Sequence, residues 1–513
     1  MTLEGDSLAP ALGDKKKNDL KQVLEASLNR FNDDFVRLSY IESYLNGDQD
    51  PPYMPKGASR EYKAILDQSC MNFLPLIVDA VAQQLYVEGY RKPDSPDDDK
   101  CWEYWRRNSL DAWQHSAHRD ALSYGYSYIT VLPGDKAPVI KPVSPLSMAA
   151  LYNDPIHDEW PQWAMQHSID YSTGKKRSRV KLLDDENVYT YVGDYIHTFT
   201  NLDSFELKGI EKHGLGVCPV VRMRNRLTTS PNVPVRGEVE PLIVTQDRIN
   251  SYTLSESMIV HFASWKQKWI AGIELPEDFT DPDTGITVSA APDAAVNRLW
   301  STEDPSTKFG EFSESDVTKV LAAIEATVKK MSSVSQVPPV YLLGDIVQLS
   351  AEALAASEAG LQRKVQEKRT IFGEAWAQTM RLAAVADDGK GELDDLFDNR
   401  IVWRDTEARS LASTVDALGK LTQMLQVPPE ALWERVPGVT SSDVAAWKEL
   451  AKEADSLGNM LGMLQDQAAT AGQAAVPSQK GQDNAKAGTN VPGKASTAKA
   501  GYGTPSDRKD YHR

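Results

Sequence analysis

The chain has 513 residues and a formal net charge of −17, which argues against a protein whose surface is mostly covered by Lys and Arg that bind nucleic-acid phosphates. Its 41% hydrophobic and 25% charged residues are typical of a globular protein with several packed cores. The three cysteines lie far apart and no long apolar window occurs, so we expect no disulfide framework, signal peptide or membrane span, and a chain that is cytosolic when made.

The N-terminal part of the chain is predicted to be helical. An amphipathic helix extends from Leu20 to Leu45 and ends at Asn46 and Gly47. The stretch NFLPLIVDAVAQQLYVEGY is predicted as a second helix, and the tryptophan-bearing segment from Trp102 to Tyr124 as a third. The acidic linker PDSPDDDK joins these two helices, and each is expected to be buried on one side.

From Tyr126 the hydrophobic period changes to two, which predicts β-strands. Short β-prone runs separated by turn residues follow in the order YSYITVLP, APVIKPVSP, QWAMQHSI, RVKLLDDENVYTYV, YIHTF, SFELKGI and CPVVRMRN. We expect these runs to form an antiparallel sheet. Together with the helices, they predict an α+β fold class for a mostly α-helical, multi-domain chain.

Helical patterns return after the strands. The stretch EVEPLIVTQDRINSYTLSESMIVHFASW is predicted as a helix, and residues 266–312 as a compact interruption rich in Pro, Asp and Gly, with strand-like pieces such as KWIAGIEL. A second helix follows from Asp316, with Ser313 or Ser315 as its expected N-cap. Its apolar residues recur at helical spacing: Val317, Val320, Leu321, Ile324, Val328 and Met331.

The stretch VPPVYLLGDIVQLSAEALAASEAG breaks this helix and begins another. Pro338 and Pro339 restrict φ and remove two backbone donors, so they end the preceding helix. Ser350 is the expected N-cap of a nearly straight helix of ~50 Å over about 34 residues. Its apolar residues alternate at steps of seven and four: Leu354, Leu361, Val365, Phe372 and Trp376. The proline stretch is therefore predicted to be a loop between two long helices.

The C-terminal part is predicted to contain shorter helices and a tail. Helical patterns occur around Leu411 to Leu425 and Asp443 to Leu464. Beyond Gln467 the composition is dominated by Ala, Gly, Gln, Lys, Ser and Pro without apolar periodicity. A segment of this kind cannot bury enough apolar surface to offset the entropy lost on folding, so we expect the tail to be disordered and dispensable for assembly.

The sequence contains one spacing that resembles a nucleotide-binding motif. Gly488, Gly493 and Lys494 match the spacing of a phosphate-binding P-loop. Ala495 follows the lysine where a P-loop has Ser or Thr, and the surroundings are low-complexity rather than strand and helix. We therefore interpret the match as coincidental and expect no catalytic site and no cofactor.

Other clusters are better explained by structure than by chemistry. His115 and His118 lie three residues apart on a predicted helix, but no third metal ligand can be named, which favours a solvent-facing or partly buried pair. The acidic run 97–99 lies beside Pro and Ser, which is typical of a solvated loop. Core packing, rather than base stacking, is predicted for three tryptophans on or near one helical face: Trp102, Trp105 and Trp113.

Over roughly residues 20–465 the chain resembles the portal proteins of long-tailed double-stranded-DNA bacteriophages. The resemblance depends on the order of several segments: SYIESYLNGDQDPPYMP, NFLPLIVDAVAQQLYVEGY, HRDALSYGYSYITVLP, EPLIVTQDRIN and VPPVYLLGDIVQLSAEAL. It implies a virion protein that forms a ring of twelve subunits at one capsid vertex, around a channel for DNA packaging and ejection. The implied partners are double-stranded DNA bound without sequence preference, the large terminase, a head-tail adaptor, and the major capsid and scaffolding proteins, with no membrane and no cofactor.

The resemblance also implies a layered subunit with wing, stem, clip and crown. The implied order is N-terminal helices and wing at 1–235, first stem helix at 236–265, clip at 266–312, second stem helix at 313–334, channel loop at 335–349, long wing and crown helix at 350–400, helical crown at 401–466 and disordered tail at 467–513. The long tail departs from what the family leads us to expect, so its role stays open.

The candidate functional residues follow from this resemblance. The implied channel-loop residues are Val334, Ser335, Gln336, Val337, Pro338 and Pro339. Lys329 and Lys330 are the nearest basic residues and are expected to lie close to the channel. Long amphipathic helices that flank a small insertion also need neighbours to cover their apolar faces, which agrees with ring assembly.

Two other functions stay open at this point. One is a different head protein, such as a minor capsid or head-morphogenesis component, which would lack a ring with a central hole. The other is a packaging ATPase or nuclease, although the sequence has no convincing nucleotide-binding signature. An alternative explanation of the proline stretch is a plain turn inside the subunit.

Overall fold

The computed structural model groups the chain into two compact units, Met1–Thr406 and Glu407–Arg513. The structure describes these residues: 14–54, 60–93, 98–171, 174–195, 204–230, 233–264, 268–271, 279–280, 287–288, 306–311, 316–344, 351–388, 397–404, 411–436, 439, 443–444 and 446–453. The predicted YIHTF strand (except Tyr195), most of the 266–312 interruption, Ser313, Ser315, Ser350, Asp97, the P-loop-like residues and the tail lie outside this part.

The helices are α1 Asp14–Asn46, α2 Arg60–Gln68, α3 Leu74–Ala82, α4 Trp102–Arg107, α5 Leu110–Tyr124, α6 Ile243–Ser264, α7 Val317–Ser335, α8 Pro339–Leu343, α9 Ala351–Asp388 and α10 Leu411–Leu425. Short 3-10 helices span Glu240–Leu242 and Pro429–Arg435. No helix among the described residues combines the length and apolar content that crossing a lipid bilayer requires.

The strands are β1 Val87–Arg91, β2 Tyr126–Leu132, β3 Val139–Val143, β4 Met148–Leu151, β5 Trp163–Asp170, β6 Arg177–Leu183, β7 Asn187–Asp194, β8 Glu206–Lys212, β9 Val220–Arg224, β10 Lys268–Ala271, β11 Phe279–Thr280, β12 Thr287–Val288, β13 Lys308–Glu311 and β14 Arg400–Trp403. The chain is thus α+β, as predicted, and its strand pairs are antiparallel.

The strands between Tyr126 and Arg224 form two sheets rather than one. A three-stranded sheet has the order β3-β2-β9, and a five-stranded meander has the order β4-β5-β6-β7-β8. Strand β4, which the sequence pattern did not predict, is the edge strand that begins the meander. Its sequence MAAL is short and nearly all buried, so it lacks the alternation by which a half-buried strand is recognised.

Helix α1 covers one face of the five-stranded sheet. Leu20, Leu24 and Leu28 repeat every four residues, so they share one helical face and are all buried. They pack with Val180 and Leu182, which point to the same side of β6 because strand side chains alternate. The predicted helix from Leu20 to Leu45 is confirmed, with its polar residues on the other face.

Helix α9 forms the centre of the larger core. Leu361, Val365, Phe372 and Trp376 are all buried, as their spacing of four, seven and four predicts. The indole N–H of Trp376 donates a 2.8 Å hydrogen bond to Nε2 of His118 on α5. Burial lowers the pKa of His118 to about 3, with a smaller contribution from the nearby His115. The expectation of a solvent-facing or partly buried pair is therefore wrong for His118.

Two of the helix predictions need correction. The stretch predicted as a single helix up to Tyr90 ends its helix at Ala82 and continues as β1, which pairs with β14 far along the chain. The segment from Trp102 to Tyr124 is two helices, because Ser109 adopts the left-handed conformation with φ of 53°. The Asn108 side chain stabilises this break by donating to the carbonyls of Tyr104 and Pro138.

The break also separates the three tryptophans. Trp102 and Trp105 are buried and their rings stack at 4.9 Å between centroids, so core packing is confirmed for both. Trp113 is 55% exposed, and the prediction is wrong for it. The buried stripe of α5 contains Leu110, Gln114, Ala117, His118 and Ala121, and Trp113 lies outside it.

Candidate functional site

The predicted channel segment is reached by a path through two helices and a short ribbon. In chain order β10 follows α6 and β13 precedes α7, and the two strands pair antiparallel from Lys268 with Glu311 to Ala271 with Lys308. Asp316 is the N-cap of α7, because its side chain accepts a 3.0 Å hydrogen bond from the backbone N–H of Thr318. The expectation of Ser313 or Ser315 as the N-cap is therefore wrong, and the cap is Asp316.

Side-chain hydrogen bonds hold the C-terminus of α7. Gln336 ends the helix in the left-handed conformation with φ of 59°. The Ser332 hydroxyl donates a 2.5 Å hydrogen bond to the carbonyl of Val337, and the Ser335 hydroxyl donates a 3.1 Å bond to the carbonyl of Ser332. The second bond satisfies a carbonyl of the last turn of α7 that has no intrahelical partner, and the first ties the residue after the C-cap back to the helix. The turn after α7 is therefore well ordered by its own serines.

The two prolines begin a helix as well as ending one. Pro338 is the N-cap of α8 and Pro339 its first residue, where the missing N–H removes no intrahelical hydrogen bond. The helix ends after one turn at Gly344, whose φ of 68° suits a residue without a Cβ. The described part of the predicted loop therefore contains a short helix.

The structure divides the predicted site residues by exposure. Ser335, Val337 and Pro338 are buried within the subunit, whereas Val334 is 65% exposed and Gln336 and Pro339 are also exposed. Their place in a channel stays a prediction. If the segment lines one, only the exposed side chains can reach its contents.

The two predicted basic residues also differ. Lys329 and Lys330 are both exposed on α7. The Lys329 ammonium lies 2.5 Å from a carboxylate oxygen of Glu325, one helical turn away, so its charge is compensated locally. Lys330 forms no ion pair with the part of the chain that the structure describes, which makes it the stronger candidate for a contact with a phosphate.

A buried group of charges connects α9 to this segment. A Glu238 carboxylate oxygen lies 2.5 Å from Nζ of Lys364, and the other lies 3.1 Å from Nζ of Lys368. Lys364 also donates a 2.8 Å hydrogen bond to the carbonyl of Ser335, and Lys368 a 2.8 Å bond to the carbonyl of Asn225. One face of α9 therefore holds three other parts of the chain: the C-terminus of α7 at Ser335, the residue after β9 at Asn225, and Glu238, which precedes α6.

The electrostatics of this group favour the charged form of Glu238. Burial alone would raise the pKa of its carboxyl group, but the two ammonium groups, together with a hydrogen bond from Asn225, lower it to about 2. Sequence reasoning missed these residues. The available signal was that Lys364 and Lys368 occupy positions in the otherwise apolar stripe of α9, where an unpaired charge would be costly.

A second polar network attaches α6 to the segment before α3. The Gln246 amide donates a 2.6 Å hydrogen bond to the carbonyl of Met71 and accepts one from the backbone N–H of Phe73. Asn250 accepts from the N–H of Met71, and the Tyr44 hydroxyl donates to Asp247. Gln246 and Asn250 thus satisfy backbone groups in a segment without regular structure, and Tyr44 adds a side-chain contact from α1, so the N-terminal half of α6 is firmly held.

Metal-ligating side chains do not cluster in the part of the chain that the structure describes. Within the described residues, no group of three or more His, Cys, Asp or Glu side chains could hold a metal ion. All three cysteines are free thiols, with Cys101 and Cys218 buried. Asp99 accepts a 2.9 Å hydrogen bond from the backbone N–H of Cys101, which makes it part of a turn.

Comparison with known proteins identifies the family. Residues 24–457 match the family model described as phage portal protein, SPP1 Gp6-like. The portal protein of Mycobacterium phage L5 is 28% identical over 428 residues, covering 80% of this chain and 84% of the relative, and that of Mycobacterium phage D29 is 27% identical with the same coverage. Among solved structures, a chain of the neck of a native GTA particle, computed with C12 symmetry, covers 73% of this chain and 91% of its own at 12% identity, with a TM-score of 0.36. The family match extends over most of the chain, and the chain therefore belongs to the SPP1 Gp6-like family of phage portal proteins.

Proposed function

We propose that twelve copies of this chain form a ring at one vertex of a phage capsid, where the ring is the channel for DNA packaging and ejection. The ring would also be the docking platform for the large terminase and the head-tail adaptor, and would contact the major capsid and scaffolding proteins. The proposal makes the chain a structural component of the virion and not an enzyme. The observation that carries it is the family match over residues 24–457.

The path of the chain through α6, β10, β13 and α7 supports the proposed stem and clip. A projection needs two strands that run in opposite directions at its base, and β10 and β13 meet this condition by pairing antiparallel. The helices on either side of the ribbon also leave apolar side chains uncovered, among them Val244, Val260 and Leu321. Such side chains are expected where neighbouring subunits pack together.

Charge supports a channel through which DNA slides. Each copy has a net charge of −17, so a ring of many copies is strongly acidic. A predominantly acidic wall repels phosphates, whereas dense Lys and Arg would hold them. Exposed Gln336 and Val334 would add a neutral surface, with Lys330 as a nearby positive charge.

Electron microscopy of the purified protein in negative stain tests the assembly. We expect ring-shaped particles with a central hole and twelvefold symmetry in end views. Particles without a hole, at all concentrations that permit assembly, would instead favour a different head protein. An ATPase assay on the same sample distinguishes a packaging enzyme, since turnover that follows the ring fraction on sizing would contradict a purely structural role.

The proposed channel position of Gln336 is tested by a pair of variants. Gln336→Asp adds a negative charge, while Gln336→Asn stays neutral, and both residue types tolerate the left-handed conformation. We expect both variants to form rings, and only Gln336→Asp to reduce the DNA packaged per particle. Equal packaging by the two variants would place Gln336 away from the DNA.

A further inference from the structure

A cavity of about 570 Å³ lies between α1 and the two sheets. Its walls come from one face of α1, from β2 and β9, from the end of β4 and the turn that follows it, and from the loop after β9. Arginines enter it from two sides: Arg30 and Arg37 from α1, and Arg222 and Arg224 from β9. This cavity is separate from the predicted channel segment.

The two arginines of α1 are compensated by carboxylates. Arg30 lies 2.9 Å from the carboxylate of Asp34, and Arg37 lies 3.0 Å from that of Glu240. Asp34 also accepts a 2.8 Å hydrogen bond from the hydroxyl of Tyr126. The charges on this side of the cavity are therefore balanced within the subunit.

The two arginines of β9 have only neutral partners. Arg222 donates a 2.5 Å hydrogen bond to the carbonyl of Pro155, and its guanidinium carbon lies 4.1 Å from the centre of the Tyr152 ring. Arg224 donates a 2.9 Å hydrogen bond to the carbonyl of Ile156. Neither guanidinium pairs with a carboxylate anywhere in the part of the chain that the structure describes.

The two guanidinium groups of β9 lie close together without a paired carboxylate. Arg222 and Arg224 are two residues apart on one strand, so their side chains point to the same side of the sheet. Both are half-buried, and burial together with the charge of Arg222 lowers the pKa of Arg224. Asp34 and Asp154 also line the cavity, but Asp34 pairs with Arg30 and Asp154 with His157. Arg222 and Arg224 are thus two adjacent, partly desolvated cations without a paired carboxylate, and each still has N–H donors beyond its one carbonyl, so together they attract an anion.

The shape of the cavity favours a carboxylate over a phosphate of duplex DNA. Its walls include the rings of Tyr128 and Tyr152 and the side chains of Leu151 and Val235, which suit the apolar part of a peptide. Duplex DNA is contacted by basic groups that project from a surface, not by groups recessed in a cavity. We propose that this cavity binds an acidic side chain of a protein partner, with Arg222 and Arg224 holding its carboxylate.

Direct binding to the full-length protein tests this proposal. The probe is a fluorescein-labelled octapeptide of alternating Glu and Ala, and the matched probe has Gln in place of Glu; binding is followed by fluorescence anisotropy. We expect saturable binding of the Glu peptide only. The variant R222Q/R224Q should weaken it by about 100-fold, since it removes two charge-assisted hydrogen bonds and each corresponds to about tenfold.

A matched control variant removes the same charge elsewhere. Arg106 and Arg248 are exposed and outside the cavity, so R106Q/R248Q should bind the Glu peptide within about twofold of the unmodified protein. If R222Q/R224Q does not fold, R222K/R224K retains the charge without the planar fork and should bind several-fold more weakly than the unmodified protein. Thermal melts establish which variants are folded.

Four outcomes would overturn the proposal. The first is equal binding of the Gln peptide, and the second is an equal loss of binding in R106Q/R248Q, which would indicate attraction by overall charge. The third is displacement of the peptide by inorganic phosphate at a concentration where glutarate has no effect. The fourth is loss of the oligomer in R222Q/R224Q with no peptide binding by the unmodified protein, which would assign the cavity to contacts between copies.

Discussion

Replacing Glu238 with Gln should destabilise the larger unit strongly. The substitution keeps the shape of the side chain but leaves the buried ammonium groups of Lys364 and Lys368 with neutral acceptors only: the carbonyls of Ser335 and Asn225 and the amide oxygen of the new side chain. Removing one partner of a buried ion pair costs about 3–5 kcal/mol. The lowering of the Glu238 pKa from 4.5 to about 2 corresponds to a stabilisation of the folded state by about 3 kcal/mol, which agrees with this range.

The effect should depend on pH in one direction. Because the folded-state pKa lies below the unfolded value, the stabilisation by Glu238 is fully present above pH 4.5 and is lost as pH falls toward 2. The difference in the free energy of unfolding between the unmodified protein and E238Q should be about 3 kcal/mol at pH 7 and about half that at pH 3. Above pH 4.5 the difference should be constant.

Urea titration followed by tryptophan fluorescence measures this difference, because Trp376 lies on α9 two turns beyond Lys368. The matched control is E240Q, which removes a carboxylate from more exposed pairs with Arg37 and Arg236 and should cost no more than about 1 kcal/mol. A loss below 1 kcal/mol in E238Q, an equal loss in E240Q, or a difference that does not change between pH 7 and pH 3 would refute the reasoning.

Three further predictions concern single residues. His118→Gln keeps an acceptor for the indole N–H of Trp376 but removes the titrating imidazole. Because burial lowers the pKa of His118 to about 3, the free energy of unfolding of the unmodified protein should fall by about 2 kcal/mol from pH 7 to pH 5. The variant should not show this fall, and urea titration at both pH values measures it. Gln336→Gly should raise the free energy of unfolding by about 1 kcal/mol, because glycine adopts a φ of 59° without steric cost, and an unchanged melting temperature would contradict this. Trp105→Ala should lower the free energy of unfolding by about 3–5 kcal/mol and Trp113→Ala by less than about 0.5 kcal/mol, since of these two only Trp105 is buried. Equal shifts of the denaturation midpoint in the two variants would contradict this, because they would show that both side chains contribute to the core.

The long periodic elements were predictable from the sequence. Helices α1, α7, α9 and α10 follow from apolar residues at helical spacing, and β2, β6 and β7 follow from alternation and β-branched residues. These patterns are local, because a helix or strand with one buried face must repeat its apolar residues at its own period. The family resemblance was likewise visible in the order of short segments, and the family match confirms it.

The proline segment was predictable only in part. Pro338 and Pro339 end the preceding helix, as predicted. The same two prolines also begin α8, because proline is compatible with the first turn of a helix, and treating proline only as a helix breaker does not predict this. Which side chains of the segment are exposed depends on α9, because Lys364 binds the carbonyl of Ser335. Burial in a turn is decided by the neighbouring element and not by the turn residues.

The tertiary structure alone decided the contacts between distant segments. The pairing of β1 with β14, the division of the strands into two sheets, and the meeting of Glu238 with Lys364 and Lys368 join residues that are far apart in the sequence. The same holds for the cavity in which Arg222 and Arg224 lie without pairing with a carboxylate. Local periodicity indicates which face of a helix or strand is apolar. It does not indicate which other element covers that face or which charged side chains are left without an oppositely charged partner, because both depend on how all the elements pack together.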